Sequence, residues 1–169
     1  MEALNMAKQQ FSIHKALAAG AVAGTVSGLV KLGWENILPP RTPARDATNP
    51  PQQFLEQLGM PAELAHATFT YNGHEIPWTS LAIHFGFSTS LAMLYAVVRH
   101  YIPLAKLGKG TAWGLGVWSV AHLVAMPAIG TVPKVQDQPM EEHVSEALGH
   151  AVWNWVNELV IEEMENDKK

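Results

Sequence analysis

The stretch TAWGLGVWSVAHLVAMPAI, residues 111–129, constrains the fold more than any other part of the chain. Its 19 residues contain one ionisable side chain, His122, and no polar face. A helix that is apolar all round must be buried on every side. A chain of 169 residues offers little to cover it in water, whereas a bilayer covers it directly. Crossing roughly 30 Å of hydrocarbon takes about 20 helical residues. Four runs come near that length, at about 15–34, 79–98, 111–129 and 143–162. The expected fold is therefore all-α, an integral membrane four-helix bundle forming a single membrane domain over residues 1–169. Residues of about 35–78 form a structured, partly helical extracytoplasmic loop.

The average composition hides this pattern. Mean hydropathy is only +0.04, but the charged residues (15%) collect between about residues 35 and 75 and at the two ends. A net charge of −4 leaves no broad basic surface for nucleic acid. Cysteine is absent, which excludes disulfides, thiol catalysis and thiolate metal sites. Ala16 to Leu32 lacks a small-residue cleavage site and reads as a retained span. Trp34, Trp78, Tyr101 and Trp113 fall at the proposed boundaries, where amphipathic rings favour the interface. Pro77, Pro103 and Pro133 lie just outside, where proline can start or stop a helix. With both termini in the cytoplasm, Lys8, Lys15, Arg99, Lys106, Lys109, Lys168 and Lys169 lie inside, against Arg41, Arg45 and Lys134 outside. That distribution obeys the positive-inside rule.

The loop carries its own signals. Asn49 before Pro50-Pro51 is a helix start, and PQQFLEQLG is a short helix closed by Gly59. Tyr71-Asn72-Gly73-His74 reads as a tight turn. Arg41 and Arg45 are candidates for anion contact or for pairing with Asp46, and His66 and His74 gain charge in acid.

Here the sequence becomes recognisable. GWE at Gly33 to Glu35, followed by PPRTPARDATNPP from Pro39, Pro40 and Arg41 through Arg45, Asp46, Asn49 and Pro50 to Pro51, resembles the YagU family of bacterial inner-membrane proteins. The resemblance extends over most of the chain. It implies a multi-pass inner-membrane location and an association with survival at acidic pH. It carries no catalytic residues.

Inside the spans, Ala16, Gly20, Gly24 and Gly28 recur every fourth residue. They form a small-residue face that lets two helix backbones approach closely, either within the chain or in a homo-oligomer. Ionisable groups within spans are costly and point to function. Lys31, His84, His122, Glu146 and His150 come from four different runs, yet they share a depth of roughly 5–12 Å below the outer surface at about 1.5 Å per residue. Glu35 sits at the outer edge. Shared depth is expected of one outward-facing polar pocket for protons or a small solute. Lys31 and Glu35 are spaced to pair, with Lys31 snorkelling to headgroups as the plainer alternative. His143, Glu146, His150, Asn154 and Asn157 share a face of the fourth run, which lines a cavity or is simply satisfied by neighbouring helices. His84, His122 and His150 are weak candidates for metal or haem, and no cofactor follows from them. No Ser-His-Asp order, phosphate-binding loop or HExxH is present, so the chain is expected not to be an enzyme. A membrane scaffold and a haem or metal protein are the alternatives to the proton-titratable pocket.

Overall fold

The computed structural model describes residues 11–38, 43 and 47–166. Pro39, Pro40, Arg41, Arg45 and Asp46 of the loop motif therefore lie outside the described residues.

Four long helical stretches stand among the described residues. Helix α1 (Ile13–Ile37) starts at Ser12, whose hydroxyl accepts from the Lys15 amide. In the connecting segment, α2 (Pro50–Gln57) begins with a capping box in which Asn49 and Gln52 satisfy each other's amides. It ends before Gly59, which holds φ +89°. A short turn, α3 (Ala62–Ala65), follows. Strands β1 (Phe69–Tyr71) and β2 (His74–Ile76) then form an antiparallel hairpin. Asn72 and Gly73 at its tip both have positive φ, 51° and 77°, as a two-residue hairpin turn requires. The connecting segment is thus not purely helical.

Helix α4 (Trp78–Tyr101) begins after Pro77 and ends before Pro103. The third stretch is composite: α5 (Thr111–Val120), a π turn over Ala121–Ala125, and α6 (Met126–Ala128). Pro127 has no N–H to donate, and its ring crowds the carbonyl four residues back, so a wider turn just before it relieves the clash. Helix α7 (Met140–Asn166) places Glu141 and Glu142 in its first turn, where the helix dipole favours negative charge.

By length and apolarity, two of these helices, Ile13–Ile37 and Trp78–Tyr101, can cross a membrane. The third stretch is divided by its π turn. Helix α7 is interrupted by carboxylates, but its polarity is inverted. Glu146, Asn154, Asn157 and Glu158 are buried, while Val144, Leu148, Trp155 and Leu159 are exposed. The exposed surface of the other stretches is also apolar, with Val22, Val26 and Leu29 on α1, Phe87 and Leu94 on α4, and Leu115 and Val120 on α5.

Helix α1 packs along α4 on one side and α7 on the other, and α7 packs along α5. The small-residue face of α1 fits α4 of the same chain. A Cβ on Gly20 would come within 2.6 Å of the Met93 Cα, and one on Gly24 within 2.5 Å of the Thr89 Cα. Gly28 faces the Phe85 ring and the Ser88 hydroxyl. Tyr95 and Arg99 of α4 also reach Glu158 of α7, and the Tyr95 ring meets Trp113 of α5, so α4 and α5 face each other across a gap backed by α1 and α7. The apolar core of Ala19, Ala23, Tyr95, Ala96, Ala105 and Ile161 lies toward the end away from the connecting segment.

Candidate functional site

The gap between α4 and α5 forms a cavity of about 680 Å³, within the roughly 300–1,000 Å³ of small-molecule sites. Helix α4 contributes Ile83, His84, Phe87 and Leu91, and the third stretch contributes Val117, His122, Ala125 and Met126. Lys31 and Glu35 of α1 and Glu146, His150 and Trp153 of α7 complete the wall between them.

Helix α2 crosses the mouth from α4 to the end of the third stretch. The Phe54 and Phe87 rings meet edge-on at 5.9 Å, and the Ser80 hydroxyl donates to Asn49 Oδ1 at 3.1 Å. At the other end, Gln57 donates to the Ile129 carbonyl at 3.0 Å and accepts from the Thr131 hydroxyl at 2.7 Å. The Thr79 hydroxyl ties the end of α3 down through the Ala65 carbonyl. The opposite end of the gap is narrowed by Tyr95 and Trp113, whose rings lie 5.7 Å apart.

Lys31 is the centre of charge. Its ammonium lies 2.5 Å from Glu35 Oε1 and 2.9 Å from Glu146 Oε2. Lys31 and Glu146 are buried, and Glu35 is partly exposed. A buried ammonium needs such partners, because desolvation otherwise forces it to neutralise. His122 Nε2 and His150 Nδ1 lie 4.0 and 3.8 Å from the same Glu146 oxygen. The two imidazoles are edge to face at 4.8 Å.

His84 also lines the cavity, but its Nε2 donates to the Gly28 carbonyl at 2.9 Å. Asn154 lies elsewhere. One turn beyond His150, it donates to the Gly110 carbonyl at 2.8 Å, against the loop that enters α5. Among the described residues, a group that could hold a metal is His122, Glu146 and His150, with ligand atoms all within 4.8 Å of one another. His84 is not among them.

Sequence reasoning missed a second polar cluster beneath the cavity. Arg99 donates to Glu158 Oε1 and to Glu165 Oε1, each at 2.9 Å, and Tyr95 donates to Glu158 Oε2 at 2.6 Å. Ser27 donates to Asn157, and Asn157 to Asn154. The Trp153 indole donates to Ser88, whose hydroxyl donates to the Gly24 carbonyl. Arg99, placed by sequence among the loop cations, is buried in this cluster. The available signal was complementarity, since Arg99 and Glu158 are opposite charges near the same end of two long runs.

The class defined by this geometry is a mostly helical protein with apolar exposed faces, built around a cavity with a charged end. The chain belongs to the YagU family of membrane proteins, matching over residues 25–159 the family described as Protein of unknown function (DUF1440). It is 34% identical over 170 residues to the inner membrane protein YagU of Escherichia coli (strain K12), covering 87% of this chain and 82% of that protein. No solved structure matches.

Proposed function

We propose that the chain is a four-span inner-membrane protein of the acid or envelope stress response. On this reading both termini are cytoplasmic, and the cavity under α2 opens outward to take up protons and a small solute, without catalysis. The carrying observation is the cavity itself, to which α1, α4, α7 and the π turn each bring an ionisable side chain. The inverted polarity of α7 supports its crossing the bilayer, because a helix with carboxylates inside and Val144, Leu148, Trp155 and Leu159 outside is suited to lipid. Histidine and glutamate exchange protons through intervening water, and with the termini inside, the connecting segment, α2 and the mouth would face the side that acid reaches first. A scaffold role for the Gly20, Gly24 and Gly28 face is less favoured, since α4 already fills that face.

The test is survival at low external pH in cells that depend on this chain. His150→Ala and Glu146→Gln are expected to lower survival at unchanged abundance in the membrane. Unchanged survival at equal abundance would remove the stress role from the cavity.

A further inference from the structure

We propose that His122, His150 and Glu146 form a binding site for a divalent transition metal of the Zn²⁺ class. The inference rests on the cavity being a ligand site and names the chemistry of its ligand. Two imidazoles and a carboxylate are a donor set that suits Zn²⁺, and three protein ligands leave a position open for water or a solute. The three ligand atoms lie within 4.8 Å of one another. Tetrahedral Zn²⁺, with bonds of about 2.0–2.1 Å, needs donor atoms roughly 3.3 Å apart. Closing that difference requires side-chain rotation that brings Nε2 of His150 toward the Glu146 carboxylate, which Nδ1 now approaches at 3.8 Å.

Two further observations favour a cation here. The Nδ1 of His150 lies 2.8 Å from the Glu146 carbonyl oxygen. A carbonyl only accepts, so Nδ1 carries the proton and Nε2 keeps the lone pair, the arrangement in which a backbone carbonyl orients a metal-binding histidine. Second, His122 lies in the π turn, a local widening found frequently at functional sites. The cavity gives the cation a path in.

The experiment is titration of the full-length, detergent-purified chain with Zn²⁺ by calorimetry, and with Co²⁺ by visible absorption. A single equivalent of each metal is expected, with the intense bands of four-coordinate Co²⁺. His122→Gln and His150→Ala are each expected to lose the binding, and His100→Ala, outside the cavity, to keep it. All variants are compared at the same elution volume, so that misfolding is recognised. Absent metal binding, or binding unchanged in both His122→Gln and His150→Ala, overturns the proposal. If Co²⁺ fails to bind while acid survival still depends on His150 and Glu146, the metal site falls and the proton-titratable cavity stands. If Co²⁺ binds as expected while survival is indifferent, the metal site stands and the stress role falls.

Discussion

At the scale of single residues, the energetics are dominated by charges kept away from water. Glu158 is about 1% exposed and holds both Tyr95 and Arg99. Removing one partner of a buried pair leaves the other uncompensated, which typically costs about 3–5 kcal/mol. Glu158→Ala is expected to lose stability on that scale in detergent unfolding, and Glu158→Gln, which keeps an acceptor for Tyr95, to lose less. Exposed charges behave differently. Glu75 on β2 accepts from the hydroxyls of Thr68 and Thr70, which hold its carboxyl below the usual glutamate range. A depressed folded-state value contributes stability above the unfolded value, and that contribution is lost as pH falls through the folded one. Amide exchange in the hairpin is therefore expected to quicken as pH drops below the ordinary glutamate range, after correction for intrinsic exchange. Glu75→Gln is expected to remove that step.

At the scale of elements, helix contact is decided by what stands at the interface. Gly24 has no room for a Cβ against the α4 backbone, whereas Gly86 has nothing within 4 Å. Gly24→Ala is expected to weaken the α1–α4 contact by about 1–3 kcal/mol. Gly86→Ala is expected to stabilise by about 0.5–1 kcal/mol through helix propensity alone. Opposite signs in thermal unfolding are the check.

Much of this scale was legible beforehand. Periodicity placed the small residues of α1 on one face, and Asn49-Pro50-Pro51 marked the start of α2. Other features were not legible. Spacing along one helix does not say which neighbour it meets, so the seating of α1 on α4 required the fold. The break in the third stretch depends on how Pro127 is accommodated, which an apolar run does not reveal. Residues sharing a helix face need not share a cavity: Glu146 and His150 line one, while Asn154, on the same face of α7, is drawn off to the Gly110 carbonyl.

For the whole molecule, α1 and α7 back a gap between α4 and α5, which Tyr95 and Trp113 narrow at one end and α2 crosses at the other. A water-soluble protein hides apolar side chains and exposes charges. This one exposes valine, leucine and phenylalanine along its long stretches and buries Lys31, Arg99, Glu146 and Glu158 between them. We propose that all four stretches cross the bilayer with both termini in the cytoplasm, an orientation that sets α2 and the cavity mouth on the outer side.

Because the chain has no cysteine, one introduced thiol reports its own side. The most direct measurement labels His74→Cys, Leu107→Cys and Gln136→Cys, all at exposed positions, with a membrane-impermeant maleimide before and after permeabilising cells. Four spans predict that positions 74 and 136 label in intact cells and that 107 labels only after permeabilisation. If 136 instead behaves like 107, while 74 labels in intact cells, then the third stretch does not cross and the four-span account is contradicted.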